Sequence, residues 1–596
     1  MGGPGAGAAV LATIKSARAL VNQGRNADAA ALLTSALPAM GQYGSIRATL
    51  GEVQCRLGRY RDAIPNLNAA LAQDPDHAPS HFYLGAALHA SAQYKKAIPS
   101  LQRAIQLSPG MSDAYRMMAA ALQAIKAYPD AIAVLDAARA NGAASGMTEA
   151  LCYHLRQMMA DWSVFDQSIA WLRGLKAVNY SGLDPAVALT IPGFTPMEQR
   201  EIAHAHGSRF AGPPLPPPNT TGDPLRKIRV GYLSADFYDH PVGRHMLGIL
   251  ENHDRSRFEI FAYSLAPDKT DTITQRLRAA PQRFVDLRSS TDDEAAALIR
   301  GDDVEILVDL GGYTEGTRPG LPSRRAAPIQ ALYLGNGGTT GHRFHDYIIT
   351  DPAISPSEMQ SHYSETFAWL PETLFNADHG TAYPARELDR GRWHLPPGAF
   401  VFCSFNNTTK LTPHLFRIWM DILRAVPHGV LWIRDYYPTS AKRMQTAAVA
   451  QGIDPARLVF CATSSREEHL LRLANADLFL DSHPYGAGST AADALWAGLP
   501  ILTYAGDTYV SRMCASQVMA LGLADLVVAS LEAYRDRAIA LATHPADLAA
   551  LRARLVESRR TTILFDSPRF TRQLEDVLQE MSRRHRAGLP HTTPIG

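Results

Sequence analysis

The chain has 596 residues, enough for three or four separate cores rather than one. Its 58 Lys and Arg against 57 Asp and Glu leave a net charge of +1, so no overall field gathers nucleic acid or an anionic membrane. Five cysteines, Cys55, Cys152, Cys403, Cys461 and Cys514, stand far apart without CxxC spacing. That argues against a disulfide framework or a structural zinc site and fits a reducing, cytoplasmic setting. The opening Met-Gly-Gly-Pro-Gly-Ala-Gly has no basic stretch before an apolar core, and no run of about 20 apolar residues follows. Neither standard export nor a membrane span is expected.

Along the chain, internal repetition comes first. Tyr60, Tyr94 and Tyr128 are 34 residues apart, and Ala63, Ala97 and Ala131, then Leu67, Leu101 and Leu135, then Ala70, Ala104 and Ala138 keep the same frame. Pro75 and Pro109 close two of the units, and Leu50-Gly51 recurs as Leu84-Gly85. This pattern resembles the tetratricopeptide repeat, which implies an antiparallel helix-pair solenoid over residues 10–142 whose groove holds another polypeptide. A purely supporting scaffold is the plainer alternative.

Residues 143–224 are expected to be a helical linker that ends in the proline-rich run Ala211 to Pro224, an extended connector. The period then switches. Ile228 to Ser234, Phe258 to Tyr263 and Val304 to Leu310 are short β-rich runs separated by helical stretches, and the alternation resumes at Val401 to Phe405, Val430 to Ile433, Leu458 to Phe460, Leu478 to Leu480 and Ile501 to Thr503. Alternating strand and helix predicts parallel sheets, here two doubly wound domains over 225–390 and 391–580, with the ligand in a cleft at the carboxyl ends of the strands.

The run Asp481-Ser-His-Pro-Tyr-Gly-Ala-Gly-Ser-Thr-Ala-Ala-Asp493 joins a strand, a small-residue turn and a helix start. Gly488 permits a tight turn, and Ser489 and Thr490 are suited to cap a helix whose first amides face an anion. A plain strand-to-helix turn has the same look. Lys410, in the polar run Asn406-Asn407-Thr-Thr-Lys410 after a strand, offers a cation for a departing phosphate, and His240, expected at a strand end, offers an imidazole to accept a hydroxyl proton or position a sugar. A solvated loop lysine and a turn-satisfying histidine are the bland readings.

Six blocks together resemble the tetratricopeptide-linked protein O-GlcNAc transferases and their bacterial relatives. They are Ile228 to His240-Pro, Ala327-Pro-Ile-Gln330, Asp346 to Asp351, Phe405 to Lys410, Glu467-Glu-His469 and Ala491 to Gly498. The resemblance implies an α-solenoid followed by the two-Rossmann α/β GT-B fold and an inverting, metal-independent transfer without a cofactor. It gives catalytic roles to His240 and Lys410, and donor binding to Asn407, Arg466, His469, Arg472, Gly488, Ser489, Thr490 and Asp493. Of these, Arg466, His469, Arg472 and Asp493 fall at positions that hold a uridine.

The chain also departs from that family. It has Gly488-Ser489-Thr490 where the family commonly has His-Thr-Thr, and Gly335-Asn-Gly-Gly-Thr-Thr-Gly341 where it has Gly-Tyr-Pro-Gly-Thr-Ser-Gly. Asn407 replaces a glutamine, and Arg325-Ala-Ala-Pro328 replaces Arg-Pro-Ala-Pro. Base-holding positions persist while phosphate- and sugar-facing ones have changed. The expected donor is a pyrimidine-nucleotide sugar, with UDP-hexosamine and CMP-activated nonulosonic acid equally open, and the expected acceptor is Ser or Thr of a protein, flagellin among the candidates. An idle adaptor that only senses nucleotide is the alternative from another class.

Overall fold

The structure, a computed structural model, describes residues 4–215, 226–377, 380, 389–437 and 439–596. The chain divides into two compact units, Met1–Arg156 and Gln157–Gly596.

The first unit is helical. Its paired helices are Pro4–Asn22 with Asn26–Met40, Gly44–Arg56 with Tyr60–Leu71, Ala78–Ala90 with Tyr94–Leu107, and Ser112–Ala124 with Tyr128–Ala140. The three framed tyrosines each open the second helix of a pair. The framed Ala63, Ala97 and Ala131 and Leu67, Leu101 and Leu135 are all buried, so the 34-residue period is the period of the core. Gly51 and Gly85 show why small residues recur: a Cβ there would lie 2.5 and 2.4 Å from the Cγ atoms of Leu67 and Leu101. Gly85→Val is therefore expected to destabilise the repeat unit by about 1–3 kcal/mol through overpacking. The check is a lowered urea midpoint for its helical signal, and an unchanged midpoint would contradict the packing argument.

In the second unit, the helices Phe165–Gly174, Pro185–Ala188 and Pro196–Gly207 precede the first sheet. Of the proline-rich connector, residues 211–215 are described, and the Leu215 amide donates to the Arg324 carbonyl (3.0 Å). Residues 216–224 lie outside the described residues.

The first sheet contains β1 (Ile228–Ser234), β2 (Phe258–Ser264), β3 (Arg283–Asp286), β4 (Ile306–Asp309), β5 (Ile329–Tyr333), β6 (Tyr347–Thr350) and β7 (Thr366–Trp369), in the order β3-β2-β1-β4-β5-β6-β7. The second contains β8 (Phe400–Ser404), β9 (Gly429–Arg434), β10 (Leu458–Cys461), β11 (Leu478–Leu480), β12 (Ile501–Tyr504) and β13 (Val527–Val528), in the order β10-β9-β8-β11-β12-β13. Among the described residues every strand pairing in the two sheets is parallel, as helix crossovers require. Strand order reverses between β1 and β4 and between β8 and β11. A crevice opens at such switch points, and the chain leaving β1, β8 and β11 carries His240, Lys410 and the Asp481–Asp493 run.

The C-terminal helix Ser567–Arg586 corrects the expected 391–580 boundary. It follows the second sheet in sequence but packs on the first-sheet side, where Glu575 meets His253, Ser582 and Arg586 meet Glu305, and the Ile595 tail bridges to Ala368 of β7. Its buried stripe, Phe570, Leu574, Val577, Leu578 and Met581, needs an apolar face, and the helix Pro241–Asn252 offers one. Among the described residues, no helix is long and apolar enough to cross a membrane.

Candidate active site

His240 does not end a strand. β1 closes at Ser234, and His240 is the residue before the helix Pro241–Asn252, where its Nδ1 accepts from the Val242 amide (3.4 Å). The same Nδ1 lies 3.5 Å from Asp236 Oδ1. Partial burial lowers the imidazole pKa and raises that of the Asp236 carboxyl. With its side chain about a third exposed, His240 can meet a ligand in the cleft.

Lys410 ends a short 3-10 turn, Thr408–Lys410, whose start is fixed by Asn407: Oδ1 accepts from the Thr409 amide (3.1 Å), while Nδ2 donates to Tyr437 (3.2 Å). The ammonium donates to the Gly486 carbonyl (3.0 Å) and lies 3.9 Å above the Tyr485 ring. Desolvation pulls its pKa down to about 8, opposed by the nearby Asp481 carboxylate. Asp481 shapes the turn that Lys410 touches, accepting from the Ala487 and Ser482 amides (both 2.8 Å) and from Thr503 Oγ1 (2.7 Å).

Gly488, with φ −99° and ψ −100°, precedes the helix Ser489–Trp496, so Ser489 and Thr490 are its first two residues rather than its caps. Their amides point along the start of the helix, where orphan N–H groups favour an anion. A Cβ on Gly488 would come no nearer than 3.8 Å to Phe375, so a side chain there is not sterically barred. Ser489 Oγ instead meets His245 Nε2 at 2.9 Å, from the opposite wall.

Arg466 opens the helix Arg466–Asn475 and donates to Asp493 Oδ1 (3.2 Å), and His469 Nε2 stands 3.9 Å from Asp493 Oδ2. Burial, with surrounding arginines, drives the His469 pKa down to about 3, so the ring is neutral, while burial raises that of Asp493. Arg472 does not join this cluster: its guanidinium lies 5.0 Å from the Trp393 ring centre and donates to the Ala462 carbonyl (2.5 Å). Pro241, Arg244, His245, Arg466, Ser489 and Asp493 line one cleft.

A second cavity borders the Gly335–Thr339 loop, with Leu189, Tyr313, Tyr363 and Tyr485 on its walls. Gly337 is tightly held: a Cβ would lie 2.6 Å from Val510 and 2.8 Å from Leu189, and Gly338 has φ +151°. Tyr485 thus lines this cavity and carries the ammonium of Lys410. Arg244, His245 and Tyr485 were missed by sequence reasoning. The only signal was that all three sit inside or beside segments already singled out, Arg244 and His245 one helical turn beyond His240. Among the described residues, no group of three or more His, Cys, Asp or Glu is arranged to hold a metal ion.

A solenoid joined to two facing doubly wound sheets with a cation and a helix start in the cleft defines a repeat-linked protein of the GT-B fold. The glycosyl transferase family 41 profile matches residues 212–388 and 387–574, and tetratricopeptide-repeat profiles match 49–112 and 88–145. The chain belongs to glycosyl transferase family 41. It is 33% identical over 420 residues to the probable UDP-N-acetylglucosamine–peptide N-acetylglucosaminyltransferase SEC of Arabidopsis thaliana, covering 68% of this chain and 42% of the relative. It is 28% identical over 477 residues to the UDP-N-acetylglucosamine–peptide N-acetylglucosaminyltransferase of Caenorhabditis elegans, covering 61% of this chain and 41% of the relative. The chain thus spans about two fifths of the length of these curated relatives. A solved Thermobaculum terrenum O-GlcNAc transferase, a lysine-to-methionine mutant, is similar over 98% of both chains, with 26% identity and a TM-score of 0.62.

Proposed function

We propose that this chain is a protein glycosyltransferase that moves a sugar from a pyrimidine-nucleotide donor, UDP-N-acetylglucosamine, to a Ser or Thr hydroxyl of a polypeptide held by the repeats. The observation that carries this reading is the meeting of the Lys410 ammonium with the turn that opens the helix Ser489–Trp496. Negative charge that grows on a departing nucleotide phosphate is stabilised there by a fixed cation and helix amides, more strongly in the transition state than before it.

The other roles follow from position. Arg466, His469 and Asp493 form a compact polar group suited to a ribose and a flat base. In the tautomer whose Nδ1–H faces Asp236, His240 is suited to accept the acceptor's proton on Nε2 as the hydroxyl attacks the anomeric carbon with inversion. The activity of the two relatives, UDP-N-acetylglucosamine–peptide N-acetylglucosaminyltransferases, supports UDP-N-acetylglucosamine as donor.

The test is incubation of the chain with UDP-N-acetylglucosamine and a Ser/Thr-rich polypeptide, read by mass spectrometry. Gain of one N-acetylhexosamine on a hydroxyl residue is the expected result. Calorimetric titration with UDP and CMP complements it. Tighter CMP binding would move the donor to a CMP-activated nonulosonic acid and the acceptor toward flagellin, and binding of neither would leave an idle adaptor.

A further inference from the structure

His245 and Ser489 face each other across the cleft from helices of different sheets, 2.9 Å apart. The ring is buried, and its other nitrogen, Nδ1, meets the Asn376 carbonyl oxygen. A carbonyl oxygen only accepts, so Nδ1 carries the hydrogen, and in the neutral ring Nε2 must accept from the Ser489 hydroxyl. Asn376 is itself held, donating through Nδ2 to the His245 carbonyl (2.9 Å) and accepting from Ser567 Oγ (2.9 Å), so the imidazole cannot flip without breaking this set.

That arrangement has a chemical consequence. With its hydrogen committed to Nε2, Ser489 shows only lone pairs to the cleft, although its backbone opens a helix and Arg244 and Arg466 line the same space. An incoming phosphate would meet two cations, helix amides and one mis-set hydroxyl. One proton added to Nε2 reverses the pair: Nε2–H donates to Ser489 Oγ, and the hydroxyl hydrogen turns toward the cleft.

We propose that His245 takes up one proton from solvent as the donor's phosphate binds and, acting through Ser489, turns a hydroxyl donor onto that phosphate. His245 is therefore a positioning residue, and the proposal rests on the nucleotide reading above. The charged and titratable groups around it are Arg244 and His240 on its own segment, Arg466 on the helix Arg466–Asn475, and Asp493 on the helix that Ser489 opens. Burial and the two arginines hold the ring neutral in the free protein, with a pKa pushed down to about 4. A bound phosphate supplies the opposite charge that raises it.

The test is calorimetric titration of the full chain with UDP at near-neutral pH in two buffers of different ionisation enthalpy. About one proton taken up per UDP is expected, with affinity rising by up to about tenfold per unit fall in pH until the imidazole of the free protein itself titrates. His245→Gln should abolish the uptake and flatten the pH dependence, with affinity lowered about tenfold at neutral pH. Ser489→Ala removes the hydroxyl that a protonated Nε2 would turn toward the phosphate, so it should lower both the uptake and the affinity, and it serves as the test where the histidine variant folds poorly. Lys410 and the UDP phosphates titrate in all three proteins, so the difference isolates the pair. Equal uptake in wild type and variants, or none in a wild type that binds UDP, overturns the proposal. A wild type that binds neither UDP nor CMP overturns the nucleotide reading and this proposal with it.

Discussion

Lys410→Ala is expected to lower transfer by about 10²- to 10³-fold, with the loss falling on kcat far more than on KM. The side chain touches the turn that opens the helix Ser489–Trp496, fixed by the Gly486 carbonyl and the Tyr485 face. A group that is already ordered spends nothing on reorganisation when charge develops on the leaving phosphate. Its charge is also held against desolvation, which is why its pKa stands near 8 rather than at the ordinary lysine value. A lysine whose folded pKa is lowered costs the folded state stability wherever it stays charged, so Lys410→Ala should unfold no more easily than wild type. The same value sets a pH prediction. The protonated form is the active one, so kcat/KM, which reports the free enzyme, declines as pH rises through about 8, and that limb disappears in the variant. Activity of Lys410→Ala within twofold of wild type would remove the leaving-group role.

Features written along the chain were legible in the sequence, and features made by packing between distant segments were not. The repeat frame could be read because identical burial recurs every 34 residues, as at Leu67, Leu101 and Leu135. Strands buried on both faces, such as β1 and β4, appear as apolar runs. β3, Arg283-Phe-Val-Asp286, lies at the sheet edge with exposed ends and gives no such run, and β5 (5 residues) and β6 (4 residues) are too short to stand out from the motif blocks they overlap. At the site, Lys410 and the Asp493 group follow from local blocks. His245 could not, because its partner Ser489 is 244 residues away and the contact depends on which face of the helix Pro241–Asn252 meets the second sheet. Arg472 fails for the converse reason: three residues from His469 it looks like a partner on one face, but Trp393 and the Ala462 carbonyl hold it elsewhere. The return of the C-terminal helix was hidden likewise, since an amphipathic pattern states that a face must be covered and not by what.

Glu575→Ala is expected to destabilise the second unit by about 3–5 kcal/mol, because it removes one partner of a fully buried polar set. The Glu575 and His253 side chains have no exposed surface. Glu575 Oε1 accepts from His253 Nδ1 (3.0 Å) and from the Asp254 amide (2.6 Å), while Arg572 holds Oε2. On its far side His253 Nε2 accepts from the Tyr232 hydroxyl (2.8 Å), which requires the hydrogen on Nδ1 to be directed at Glu575. Alanine leaves that N–H and the Asp254 amide without an acceptor and opens a cavity, whereas Glu575→Gln keeps an oxygen for both donors and should cost far less, about 1–2 kcal/mol. Urea unfolding of the two variants separates these values, and equal losses would show that volume rather than the hydrogen bonds governs the site. These bonds depress the folded-state pKa of Glu575, so its contribution is present above the unfolded carboxyl value and is lost as pH falls through the lower folded value. The wild type should therefore lose stability in acid more steeply than Glu575→Gln. The effect extends to the cleft: the same helix begins at Ser567, which donates to Asn376, and Asn376 accepts from His245. Loosening the helix therefore frees the imidazole that faces Ser489, so Glu575→Ala should raise the UDP dissociation constant even at temperatures where the protein remains folded.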